Sequence, residues 1–167
     1  MLFTGVLLAM GISLGVGAST MAVLNFFLAI KDGKIEETER NFMGLTYVVL
    51  RVDMVVILFT ATISAYFGFS NIGNAYFTSY TLAQFMLIGI LYINAILMTL
   101  RIMPSTFGPA IQASTWYTLG IMLALTTQGI QEFTMTTFFL CYLALFLVAT
   151  AIINGVMGYL KSQRAGN

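Results

Sequence analysis

An all-α integral membrane bundle is the fold class that this 167-residue sequence predicts: five transmembrane helices in one domain, residues 1–167, with the N-terminus outside and the C-terminus cytoplasmic. Composition is the first reason. Hydrophobic residues make up 59% of the chain and charged residues 8%, whereas soluble domains carry charge on about a quarter of their residues. Spacing is the second, because the apolar runs match the roughly 20 residues that a helix needs to cross a hydrocarbon core about 30 Å thick. Charge placement is the third, because the Lys and Arg residues outside those runs fall on alternate connections.

The first span is expected from Leu2 to Ile30. It lacks the positive n-region of a signal peptide and exceeds a typical h-region, so it reads as a retained helix. It ends at Lys31-Asp32-Gly33-Lys34, where Gly33 suits a helix C-cap and Asp-Gly a turn. Glu36 to Glu39 suit the positive end of the dipole of a second helix, whose span covers Phe42 to Phe67. The uncharged, turn-rich stretch Phe69 to Ala75 reads as a loop. A third span runs from Thr78 to Leu100 and stops at Arg101, and Met103 to Pro109, with both prolines, breaks the helix. The fourth span, Ala110 to Gln128, is the shortest and most polar, the fifth covers Thr134 to Leu160, and the tail Ala165 to Asn167 reads as disordered.

Orientation follows from Lys31, Lys34, Arg40, Arg101, Lys161 and Arg164, which five spans put on one side. Positive loops resist translocation, so that side is expected to be the cytoplasm and the membrane the bacterial inner membrane. Four or six spans would split these charges between the two faces.

Several function classes drop out on composition. The dispersed charge, net +1, gives neither a nucleic-acid footprint nor a polybasic lipid-binding tail. With no histidine, the usual haem ligand, zinc ligand and best general base are all missing. Asp32, Glu36, Glu37 and Glu39 lack the alternating ligand positions of a calcium loop. Eleven Met could hold Cu(I), but they are scattered and suit apolar packing. Cys141, the one cysteine, lies in an apolar run. No catalytic triad, Walker loop or dinucleotide fingerprint occurs, so no catalytic residue, metal site or cofactor is expected.

Arg51 and Asp53 interrupt the second span. Counted from Phe42, Arg51 lies about 14 Å deep, near the midplane, where an ionisable side chain costs at least about 2.5 to 3.5 kcal/mol and needs a partner. The two residues point about 200° apart on a helix and cannot pair on one face. Thr46, Asp53, Thr60 and Ser64 form one polar stripe, and Gly44, Tyr47, Arg51 and Thr62 another, so protein is expected on both faces of this helix. Candidate partners are Gln84 and Asn94 in the third helix, Gln112 and Gln128 in the fourth and Asn154 in the fifth. Either such bonds only fix the packing, or Arg51 and Asp53 line a path for an ion or polar solute. Gly11, Gly15 and Ser19 recur every four residues as a groove for another helix, from the same chain or another copy. Trp116, Tyr117 and Tyr159 read as interfacial anchors.

The stretches Gly11 to Thr20, Ala29 to Ile35, Tyr92 to Ile96 and Gly108 to Ala110, with Arg101 and Trp116-Tyr117, resemble a group of small bacterial membrane proteins. That group is distantly similar to copper-resistance D-type and cytochrome b561-like helical bundles, which can hold haem or copper through histidines. Leu97-Met-Thr-Leu100, where relatives carry a histidine, has none, so the resemblance implies the bundle rather than a haem or copper role. The sequence thus predicts a non-enzymatic membrane protein, a structural or accessory subunit packed against the bilayer and against its own copies or other membrane subunits. The alternatives are a small transporter or channel component using Arg51 and Asp53, and a divergent haem- or copper-related module.

Overall fold

A computed structural model of the chain describes residues 2–31, 36–104 and 107–165. These residues hold five α-helices and no strand: α1 (Leu2–Lys31), α2 (Glu37–Ile72), α3 (Ser79–Thr99), α4 (Phe107–Thr127) and α5 (Met135–Ala165), with a 3-10 helix at Gly73–Tyr76. Four of them, α1, α2, α3 and α5, are long and apolar enough to cross a membrane. Their outward faces carry exposed side chains such as Leu14, Phe59, Ile93 and Leu147, a surface whose natural solvent is hydrocarbon.

The helix α4 falls short on apolarity, and its position explains why. It packs against α1, α3 and α5 and buries Ala110, Ala113, Ser114, Thr115, Trp116, Thr118 and Leu119. Its hydroxyls are satisfied within the helix: Thr115 donates to the Ile111 carbonyl at 2.6 Å and Thr118 to that of Ser114 at 2.7 Å, the local back-bonding that Ser and Thr favour in helices. A helix enclosed by protein does not need an apolar surface all round.

Local chemistry sets most helix ends. At the start of α2 the Glu36 backbone N–H donates to the Glu39 carboxylate at 3.0 Å. Thr78 and Thr134 cap α3 and α5, accepting from the backbone N–H groups of Thr81 and Thr137 at 3.3 and 3.1 Å. Both α3 and α4 end in Schellman geometry. Arg101 N donates to Met98 O and Ile102 N to Leu97 O after α3; Gly129 N donates to Thr126 O and Ile130 N to Leu125 O after α4. The left-handed position is Gly129, φ 75°, in one case and Arg101, φ 58°, in the other.

Three boundaries differ from the sequence expectation. The loop expected at Phe69 to Ala75 is mostly helix: α2 runs to Ile72, Ser70 bonds back to Tyr66, and Gly73, φ 59°, ends it. Pro109 lies in the first turn of α4, where its missing N–H costs nothing, so the break after α3 is shorter. The helix α5 continues to Ala165. Gly33, Lys34, Asp32 and the last two residues of the tail lie outside the described residues.

Contacts along the helices show neighbours running antiparallel. Asn25 pairs with Thr46 and Gly11 meets Ile57 between α1 and α2; Asn94 reaches Gly108 between α3 and α4; Thr115 pairs with Tyr142 and Phe107 stacks on Phe146 between α4 and α5. One end of the bundle therefore gathers the C-terminal ends of α1, α3 and α5 with the starts of α2 and α4, and Arg40 and Arg101 belong to it. Glu132 is the one charged residue of the opposite end among the described residues.

The small-residue stripe of α1 is used inside the chain. A Cβ on Gly11 would come within 2.9 Å of Ile57 Cγ2 on α2, and one on Gly15 would collide with the Trp116 ring of α4. Ser19 is buried on the same face. Trp116, expected as an interfacial anchor, is 0% exposed and at the centre of the core. The glycine notch on the facing helix gives the indole room there.

Candidate functional site

Arg51 and Asp53, two residues apart on α2, face different surroundings. Asp53 is 3% exposed and turned toward α1, where a Cβ on Gly11 would lie 3.9 Å from its Oδ1. Its Oδ2 has no hydrogen-bond partner among the described protein groups. That distance is ordinary contact, so the carboxyl lies against the α1 backbone at Gly11 while the tight neighbour of Gly11 is Ile57.

Arg51 is exposed, and its one hydrogen bond among the described residues runs from Nη2 to Thr99 Oγ1 at 3.2 Å. The Thr99 hydroxyl donates to the Ala95 carbonyl at 2.8 Å, so its lone pair is turned toward the guanidinium. No carboxylate pairs with Arg51 among the described residues. A guanidinium carries five N–H donors, and most of those of Arg51 meet no acceptor among the described residues.

Two hollows meet at this side chain. One, of about 230 Å³, is lined by Tyr47, Leu50, Arg51, Met54, Ala95, Met98, Thr99 and Gln112. The other, of about 310 Å³, shares Arg51, Met54, Ala95 and Thr99 and continues along α2 and α3 past Val55, Tyr92, Ile96 and Leu100. Tyr47 and Gln112 also border a small gap toward Ser19 and Pro109. The result is a vestibule with one cation among the described residues, with Tyr47, Tyr92, Thr99 and Gln112 as its neutral polar groups and apolar side chains between them.

The partner of Arg51 sets its level within the bundle. Thr99, its partner, is the last residue of α3. That 21-residue helix is about 31 Å long, one hydrocarbon thickness. Arg51 is therefore level with the end of α3, not with its middle, and α2 overshoots α3 at this end. The expected enclosure on both faces also fails: the Asp53 face packs on α1, while Gly44, Arg51 and Thr62 are exposed. An Arg near a helix-bundle end reaches polar surroundings by extending its stem, which removes the need for protein on that side.

Of the other candidates, Gln112 shares the vestibule with Arg51. Asn94, 2% exposed, donates through Nδ2 to the Gly108 carbonyl at 3.0 Å and ties α3 to the start of α4, leaving its Oδ1 without a partner. Gln84 is buried with Nε2 unpartnered, ten residues, about 15 Å, from Asn94 along α3, so the two do not form one site. Gln128 is exposed at the far end of α4, and Asn154 is exposed on α5, away from Arg51. A further hollow of about 670 Å³ lies at the other end beside Thr78 and Gly129 to Phe133, with Glu132 its only charge.

Thr99, the residue that holds Arg51, was not among the expected partners. Antiparallel hairpins place residues equidistant from the turn side by side. A turn centred on Phe69 to Ala75 sets Arg51 against Ile93 and Asn94. The extended α2 moves the turn by about three residues and Arg51 about 8 Å further along α3. No protein-family model matches the chain, and comparisons with curated proteins and with solved structures give no match.

Proposed function

We propose that this chain is a non-enzymatic, five-span protein of the bacterial inner (cytoplasmic) membrane, N-terminus outside and C-terminus cytoplasmic, whose working feature is an anion-accepting vestibule. The observation that carries the reading is Arg51, held by one hydroxyl among the described residues and lining two adjoining hollows. Arginine suits this task because its planar fork binds carboxylate and phosphate oxygens bidentately. Arg40 and Arg101 lie at the same end of the bundle, and the positive-inside rule assigns that end to the cytoplasm. The helix α4 spans as the enclosed helix, packed by three neighbours.

Thermal unfolding in detergent tests the vestibule. Inorganic phosphate is expected to raise the midpoint of the wild-type protein and to leave Arg51→Leu, itself folded, unmoved. An equal response in both, or none in either, would contradict the reading.

An accessory subunit packing against its own copies or other membrane subunits is the second reading. The open face of α5, with Leu140, Leu143 and Leu147 exposed, favours it. Cys141 is exposed on that helix, so self-association through α5 predicts a dimer crosslinked in membranes by a thiol-specific reagent and lost in Cys141→Ser. A monomer at every reagent concentration would rule out that surface as a self-contact.

A further inference from the structure

We infer that the anion held by Arg51 is the phosphate of an anionic phospholipid, with one acyl chain lying in the apolar trough below the guanidinium. This rests on the reading of Arg51 as an anion-accepting group and names the source of the anion.

The surroundings of Arg51 are those of a lipid-facing groove. On α2 its exposed neighbours are Val48, Val52 and Val55, and across the groove on α3 they are Ile96 and Leu100. The trough of about 310 Å³ that starts at the guanidinium is walled by Met54, Val55, Tyr92, Ala95 and Ile96, with no other charge among the described residues that line it. A hydrocarbon chain matches such walls, and a hydrated solute does not.

Direction and level agree with that occupant. In a helix the Cα–Cβ bond tilts toward the N-terminus, and the N-terminus of α2 is at the Arg40 and Arg101 end. Arg51 thus reaches toward the membrane surface while Val55, one turn on, faces deeper. Thr99 fixes the guanidinium at the end of a helix about one hydrocarbon thickness long, the level at which phospholipid phosphates begin. Arg101, two residues beyond Thr99, adds a second positive charge to this end and favours a headgroup of net negative charge. Basic pockets between helices on the cytoplasmic side are where anionic headgroups are held in membrane proteins.

The test is lipid retention. Protein exchanged into micelles containing equal phosphatidylglycerol and phosphatidylcholine, then washed and analysed by native mass spectrometry, is expected to keep phosphatidylglycerol preferentially. Arg51→Leu should lower the retained phosphatidylglycerol about fivefold, and Arg51→Lys should lose less. Ile96→Trp, which fills the trough from an exposed position and leaves Arg51 in place, should also release the lipid while keeping the phosphate-dependent thermal shift. If wild type and Arg51→Leu retain phosphatidylglycerol equally while inorganic phosphate still shifts only the wild type, the lipid assignment is overturned and the anion reading stands. Equal retention of both lipids by the wild type, with no phosphate-dependent shift, overturns both.

Discussion

Trp116 and Arg51 show how much a single residue's meaning depends on what faces it. Both are residue types associated with membrane surfaces, yet Trp116 is wholly buried and Arg51 is exposed. The difference lies across the helix boundary: Gly15 opens a notch for the indole, and Thr99 offers one lone pair to the guanidinium. Gly15→Ala places a methyl group against the ring, so it should lower the unfolding free energy by about 1–3 kcal/mol, the usual effect of overpacking, read as a lower thermal midpoint. A midpoint equal to that of wild type would mean that α1 does not press on Trp116. As the sole Trp, Trp116 also reports on itself: its emission should be blue-shifted and insensitive to acrylamide, and ready quenching would return it to the interface. The spacing of Gly11, Gly15 and Ser19 was legible in the sequence as a packing stripe. Its partner was not, because a four-residue repeat specifies a groove and says nothing of what fills it.

Helix existence was legible throughout, since each apolar run near 20 residues became a helix. Ser, Asn and Gly between Phe69 and Ala75 signal a turn in the sequence, but α2 continues to Ile72 because its helical contacts outweigh that local preference. The later turn puts Thr99, rather than the candidate Asn94, at the level of Arg51. The polarity of α4 was visible, but its cause, enclosure by α1, α3 and α5, is a tertiary fact. The paired Schellman ends offer a test at this scale. Arg101 occupies the left-handed position that Gly129 occupies after α4. Left-handed backbone costs a non-glycine residue roughly 1–2 kcal/mol, against about 0.5–1 kcal/mol for the extra freedom that glycine loses on folding. Arg101→Gly should therefore raise stability by roughly 0.5–1 kcal/mol on denaturant unfolding. A loss of stability would show that the Arg101 side chain makes a compensating contact.

For the molecule as a whole, antiparallel neighbours gather Arg40 and Arg101 at one end, and the proposed topology puts that end in the cytoplasm. Single cysteines introduced at Ser162 and Gln131, in a Cys141→Ser background, should react with an impermeant thiol reagent from the inside and the outside, respectively. Reaction of both from one side would remove the five-span topology. The charge pattern carries this expectation in the sequence. The vestibule was not readable, because it exists only where α2 overshoots α3 and leaves a cation beside a hollow. The most direct test is a structure determined in phosphatidylglycerol-containing nanodiscs, read at Arg51. Density for a phosphate within hydrogen-bond reach of the guanidinium, at the level of Thr99, is the predicted result. A guanidinium paired with a carboxylate of another subunit, or packed against hydrocarbon with no anionic group nearby, would contradict the account.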